Sequence, residues 1–253
     1  LGKSEGDVML TAGLVSATFK EKEASEVLGL CKGAGLKAIE WSEGHHVRLG
    51  MTEEAERLSS CCRDEGVEIV GLGSYYRLGQ GMAFQPVLDL ALALGAPLIR
   101  IWAGTKPSVA VDEAEFASLA EEAQAVGGQA LKEGVQVSFE WHKNTLTDTN
   151  ESALRLLQTA SSCKTLWQPT VALSVEERKE GLHCLGERLA NLHVYYWHDP
   201  DGKRRPLSEG ISLWKEYFAQ VSGDHYALLE FVMDDRVEQF KADALTLQKM
   251  VGE

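Results

Sequence analysis

The sequence predicts an α/β chain folded as a single (β/α)₈ barrel, one TIM barrel domain spanning residues 1–253. Three observations carry this. Eight short apolar runs alternate with longer amphipathic stretches, and they start about every 30 residues, the size of one βα unit. Gly35, Gly66, Gly95 and Gly134 stand just before or within two residues of such a run, where the C-cap glycine of a preceding helix belongs. The length, 253 residues, suits one barrel of this kind.

The apolar runs are Val8–Val15, Leu36–Trp41, Val67–Leu72, Pro97–Trp102, Val135–Trp141, Thr165–Gln168, Leu189–Tyr196 and His225–Val232. Parallel strands buried on both faces read as runs of this type. Between them lie helical periodicities. Val87–Leu94 repeats Leu and Ala at three- and four-residue spacing, and Glu113–Lys132 is a longer amphipathic run. Asp235–Met250 closes the chain, with Phe240, Leu245, Leu247 and Met250 on apolar positions. An open doubly wound sheet more often carries a Gly-rich first βα turn. Here that turn, Ser16–Glu23, holds no GxGxxG.

Composition narrows the function classes. The chain is 44% hydrophobic and 25% charged, ordinary for a soluble domain with a sizeable core. No apolar run is long enough to suggest a membrane span. The opening LGKSEGDVML lacks the basic-then-apolar pattern of a signal peptide, although a start at Leu leaves a removed leader open. The net charge of −13 argues against nucleic acid, whose phosphates are bound mainly by Lys and Arg. The five cysteines, Cys31, Cys61, Cys62, Cys163 and Cys184, form no CxxC pair. They read as reduced and mostly buried, in a cytoplasmic protein. Homo-oligomerisation is left open.

Several strands end in a group that is costly to bury. LKAIE ends at Glu40, VQVSFE at Glu140, TLWQ at Gln168, NLH at His193 and YALLE at Glu230. Catalytic side chains of barrel enzymes sit at these C-terminal strand ends. A lone buried carboxylate costs several kcal/mol unless something compensates it. Carboxylates converging on one mouth therefore suggest a cation or a polar ligand among them. Glu140, His193 and Glu230, at equivalent places in the fifth, seventh and eighth strands, form a reasonable set for a divalent ion such as Mn, Mg, Co or Zn.

These motifs resemble the xylose isomerase-like barrel family, the sugar phosphate isomerase/epimerase group that also contains endonuclease IV. FEWHKNTLTDT (Phe139–Thr149) is similar to its strand-five E-x-H-x-x-T-x-T-D-T stretch. Leu192–Phe218 is similar to the strand-seven histidine segment with its P-L-x-x-G-x-x-x-W loop, and ALLEFVMDD (Ala227–Asp235) to the strand-eight glutamate segment. The resemblance covers nearly the whole chain. It implies metal ligands Glu140, His193 and Glu230, with Gln168 where the family usually has Asp and Val171 where it has His. A glutamine offers only a neutral carbonyl oxygen to a hard cation, which sets the expected metal in question.

The resemblance further implies an isomerase or epimerase of carbohydrate metabolism acting through an enediolate. Glu140 and Glu230 would be its acid/base pair, and the partner a small sugar or sugar derivative. His142 is a candidate for a substrate hydroxyl. Trp102, Trp167 and Tyr195 are candidates for a sugar face, among the mouth aromatics Trp41, Tyr75, Tyr76, Trp141 and Trp197. Arg100 and Lys106 are candidates for a carboxylate or phosphate, as is the Lys203–Arg205 cluster. A metal-free or non-catalytic carbohydrate-binding barrel is the alternative. An endonuclease IV-like nuclease stands further off, since the second and third strands end near Trp41 and Tyr75, with only His45 and His46 nearby.

Overall fold

The computed structural model describes residues 8–170, 173–198 and 202–252. Each apolar run becomes a strand: β1 (Leu10–Val15), β2 (Ala38–Ser42), β3 (Glu68–Arg77), β4 (Leu98–Trp102), β5 (Gln136–Phe139), β6 (Cys163–Trp167), β7 (Leu189–Val194) and β8 (His225–Leu229). All pair in parallel, and the order β1-β8-β7-β6-β5-β4-β3-β2 closes on itself. Closure leaves no unpaired sheet edge. A short antiparallel ribbon, Trp197–His198 against Lys203–Arg204, lies in the loop after β7.

The helices are α1 (Ala24–Gly33), α2 (Thr52–Asp64), α3 (Gln85–Leu94), α4 (Glu113–Lys132), α5 (Asn150–Thr159), α6 (Val175–Leu185), α7 (Ile211–Phe218) and α8 (Val237–Val251). Capping chemistry marks the starts of α1, α4, α5 and α6. Asp112 accepts from the Glu115 amide at the head of α4, and Thr149 from Ser152 at the head of α5. Ser174 and Glu177 form a reciprocal capping box on α6. The four predicted cap glycines all have positive φ. Gly95, for example, sits at φ 70° and closes α3 with its amide on Ala91 and Leu92 carbonyls, a conformation that costs a side-chain-bearing residue energy.

The core lies between barrel and helices as well as inside the barrel. Val87, Leu90, Ala91 and Leu94 of α3 are buried. Phe240, Ala244 and Leu247 present the inward stripe of α8. Leu245, expected on that stripe, is exposed instead, because the spacing 240, 244, 247 turns it outward. Cys31, Cys62 and Cys163 are buried, Cys61 and Cys184 exposed, and all five are free thiols. Among the described residues no helix is long and apolar enough to cross a membrane.

Candidate active site

The C-terminal strand ends converge as the sequence predicts. Glu140 directly follows β5, Gln168 follows β6, His193 lies near the end of β7, and Glu230 follows β8. Glu140 and Glu230 extend the barrel ladder, their amides donating to the Ile101 and Val194 carbonyls at 3.0 and 2.9 Å. These bonds hold both carboxylates to rigid backbone. The loop after β5 adds a second restraint. Thr147 Oγ1 donates to the Glu140 carbonyl at 2.6 Å, and Thr145 Oγ1 to the His142 carbonyl at 2.7 Å. The threonines of the T-x-T motif thus satisfy backbone acceptors where the ladder stops.

The side chains form two ionic groups. Arg100 Nε of β4 lies 3.1 Å from Glu140 Oε2, and Arg100 Nη1 donates to the Ser74 carbonyl at 2.8 Å. Arg100 therefore faces the barrel interior. His193 stands between two carboxylates, with Nε2 3.2 Å from Glu40 Oε2 and Nδ1 3.3 Å from Glu230 Oε2. All five of these residues are buried. Burial alone would push the His193 imidazolium down, but Glu40 and Glu230 outweigh it and hold its pKa up at about 10. Burial would likewise raise Glu40, yet the charge and hydrogen bond of His193, with Arg100 behind them, keep it below the usual range. Arg100 is disfavoured by burial and held charged by Glu140, Glu40 and Glu230. Burial, then Glu230 and Glu140, pushes the Tyr195 phenol well up.

Gln168 ties the groups together. Its amide nitrogen donates to Glu140 Oε1 at 3.3 Å and to the Trp141 carbonyl at 3.0 Å. Two acceptors on one side fix the amide orientation, so its carbonyl oxygen turns away from Glu140. Two glycines make room for the whole arrangement. A Cβ on Gly73 would stand 2.8 Å from Glu40 Oε1 and 2.9 Å from Arg100 Nη2. One on Gly71 would meet the Glu40 side chain at 3.4 Å.

Above these residues opens a cavity of about 350 Å³, within the size range of small-molecule sites. Of the predicted residues, Glu140, Gln168, Glu230, Arg100, Trp102, His142 and Tyr195 line it. The His142 ring lies against Trp102, centroids 4.5 Å apart. The Tyr195 hydroxyl donates to the Pro169 carbonyl at 2.8 Å. Trp197 lines the wall beside Tyr195, centroids 4.8 Å apart.

Other expectations are corrected. Trp167 does not line the cavity; it packs edge-on against Trp214 and Tyr217 in the helical layer, because its position in β6 points outward while Gln168 points in. Trp41 and Trp141 are fully buried core, and the Tyr76 hydroxyl donates to Glu122. Lys106 pairs with Glu115 on the exterior. In the Lys203–Arg205 cluster, Arg204 pairs with Asp235. Val171 lies outside the described residues. Neither His45 nor His46 reaches the cavity: His45 meets the Tyr75 hydroxyl, and His46 meets Ser16 Oγ and the Phe19 carbonyl.

The sequence reading found Glu40 only in part and missed the cavity cations Lys20, Arg77 and Lys143. Glu40 was legible as a polar strand end, but its pairing with His193 across the barrel was not. Arg77, at the end of β3, lines the cavity and carries no motif. The glycines in GLGSYY were the available signal that something large crosses β3.

The strand ends offer a divalent ion only a partial donor set. Among the described residues no three His, Cys, Asp or Glu side chains converge as a metal group. Gln168 Oε1 is buried without a hydrogen-bond partner, whereas His193 Nδ1 and Glu230 Oε2 face each other at 3.3 Å. An oxygen–nitrogen–oxygen set of this kind suits one divalent ion once His193 gives up its proton and parts from Glu230. Glu140 joins it only by leaving Arg100.

Solved structures with this architecture exist. The probable 3-DHS dehydratase AsbF of Bacillus anthracis, involved in petrobactin synthesis, superposes with a TM-score of 0.80 at 21% identity, over 95% of this chain and 99% of that one. The IOLI protein with a bound zinc atom gives 0.74 at 14%, over 96% and 98%. A D-allulose 3-epimerase from Methylomonas sp., in complex with D-allulose, gives 0.70 at 12%, over 98% and 99%. No curated protein sequence matches the chain significantly. The sequence model of the xylose isomerase-like TIM barrel matches residues 28–250, so it takes in seven of the eight strand ends described above, from Glu40 to Glu230. The closed barrel and this match agree, and the chain belongs to the xylose isomerase-like TIM barrel family.

Proposed function

We infer that this barrel is an enzyme that moves a proton at a carbon next to a carbonyl in a small polyhydroxylated substrate, and so isomerises or epimerises it. The observation that carries the reading is the placement of Glu140 and Glu230 on one cavity with the buried Arg100 cation beside them. One carboxylate takes the C–H proton, leaving the electron pair as an enediolate. The other returns a proton to the neighbouring carbon or to the opposite face. The returning carboxyl enters protonated and leaves ionised, and in an isomerisation the hydroxyl proton of the donor carbon passes to the former carbonyl oxygen, so atoms and electrons balance without a co-reactant. Arg100 places fixed positive charge where the enediolate oxygen forms, in a site with little water to screen it. Glu40 holds His193, which in turn holds Glu230 in position.

Residues Gln168, His193 and Glu230, if the His193–Glu230 contact opens, with Glu140 if it is released from Arg100, would hold a divalent ion; bound there, it would polarise the substrate oxygens. His142, Trp102 and Tyr195 offer an aromatic wall to a sugar ring. The same first proton transfer also serves an elimination, in which a β-hydroxyl then leaves as water, the reaction class named for the dehydratase neighbour.

The test is isotope exchange. Ketoses, aldoses and hydroxy-keto acids are incubated with the enzyme in D₂O, with and without Mn or Co, and the C–H signal is followed by NMR. Exchange is expected, with Glu140→Gln and Glu230→Gln each slowing it by about 10²–10⁴. No exchange under any condition would sink the reading. A carbohydrate-binding barrel without turnover is the second reading, favoured by the neutral Gln168 and by the commitment of Glu140 to Arg100. It predicts saturable binding with no exchange.

A further inference from the structure

Across this acidic chain, many cations find a carboxylate. Lys32 pairs with Glu65, Lys106 with Glu115, Arg155 with Glu113, Lys179 with Glu216 and Arg204 with Asp235. That is expected where 38 acidic residues outnumber 25 basic ones. The cavity mouth reverses that balance locally. Its lining holds four cations, Lys20, Arg77, Arg100 and Lys143, against two carboxylates, Glu140 and Glu230. Arg100 is bound to Glu140. Lys20, Arg77 and Lys143 have no carboxylate partner among the described residues.

Arg77 is the most informative of the three. It is half-buried at the end of β3, directly paired in register with Trp102 of β4. Its guanidinium carbon lies 4.2 Å from the centre of the Trp102 ring. This cation–π contact holds the guanidinium over the indole, and its N–H groups have no acceptor among the described residues. Lys143, two residues past Trp141 on the loop after β5, the strand beyond β4, is exposed and lines the same cavity. A guanidinium held this way, with an ammonium on the lining of the same cavity, is the chemistry that recognises an oxyanion. The Trp102 ring also meets the ring of His142, centroids 4.5 Å apart.

We propose that the substrate of this cavity carries an oxyanion group, a carboxylate or a phosphate, that docks on Arg77 and Lys143 at the β3–β5 rim while its reacting carbon lies toward Glu140 and Glu230. This rests on the proton-transfer reading only in taking the cavity as the substrate site. It selects acids or phosphate esters over neutral sugars.

The test is calorimetric binding to the full chain with three small probes: tartrate, inorganic phosphate and the neutral threitol, which shares tartrate's carbon skeleton. At least one anion is expected to bind saturably and threitol to bind far more weakly. The tighter anion identifies the group. Arg77→Gln and Lys143→Gln are each expected to weaken anion binding by about tenfold or more. Lys143 is exposed, so its variant guards against loss of folding at Arg77. Arg57→Gln, an exposed charge on α2 outside the cavity, leaves binding unchanged. No saturable anion binding, equal binding of threitol, or wild-type affinity in both cavity variants overturns the assignment. Anion binding without isotope exchange would leave it standing and sink the proton-transfer reading. Exchange of a neutral ketose with no anion binding would do the reverse.

Discussion

Arg100 Nε lies 3.1 Å from Glu140 Oε2, and both side chains are buried at the barrel mouth. An internal cation is therefore in contact with a carboxylate that the family resemblance assigns to a metal. Removing one partner of a buried pair leaves the other uncompensated, at a cost of about 3–5 kcal/mol. Arg100→Met is expected to lower unfolding free energy by about that amount, read from urea melts. Glu140→Gln leaves Arg100 near Glu40 and Glu230 and is expected to cost less. Equal losses in the two variants would mean that Arg100 does not hold the wider acid cluster.

Gly73 provides the space for this cluster. An added Cβ would come within 2.8 Å of Glu40 Oε1 and 2.9 Å of Arg100 Nη2. Gly73→Ala is expected to destabilise by about 1–3 kcal/mol, in the range of overpacked cores, and to slow exchange as the Glu40–His193 and Arg100–Glu140 pairs shift. A melting temperature at the wild-type value would show that β3 accommodates the methyl group.

Gln168 is the natural site for a metal test. Gln168→Asp loses the amide that donates to Glu140 Oε1 and the Trp141 carbonyl, and it adds a carboxylate. In chelator the variant is expected to be less stable by about 1–3 kcal/mol, the cost of unsatisfied buried groups. With Mn or Co its melting temperature should rise by more than that of the wild type, since a negative oxygen ligand suits a hard cation better. An equal metal-dependent shift in both proteins would remove residue 168 from any ion site.

Asp243, buried on α8, gives a pH signature independent of the site. Burial raises its pKa above 3.8, although the Leu207 amide and Gln239 side chain oppose the shift. The native state thus holds its proton more tightly than the unfolded state. Asp243 costs nothing below the unfolded pKa, and stability falls as pH rises through the folded one. Asp243→Asn keeps an acceptor for Leu207 and Gln239. It is expected to match the wild type at the acid end and exceed it at neutral pH, with melts across the range as the readout. A stability difference that does not change with pH would rule out this linkage.

Much of the molecule was legible before folding was considered in three dimensions. The strands, the four helix-capping glycines and the polar strand ends at Glu140, Gln168, His193 and Glu230 all follow from local chemistry: β-run apolarity, left-handed backbone at a helix end, and the cost of a polar group in a buried strand. Trp167 shows the limit. Adjacent residues on a strand face opposite sides, and one-dimensional reading did not decide which of Trp167 and Gln168 faces the cavity.

The sequence by itself determined the barrel and the ring of polar residues around its mouth. Tertiary structure decided how those residues pair. His193 meets Glu40 across 153 positions of chain, and Arg100 turns inward to Glu140 rather than outward to the helices. Arg77 becomes a cavity cation only because register sets it beside Trp102. Barrel closure brings every strand end to one rim, so charge pairing there depends on distances through space that no local pattern encodes.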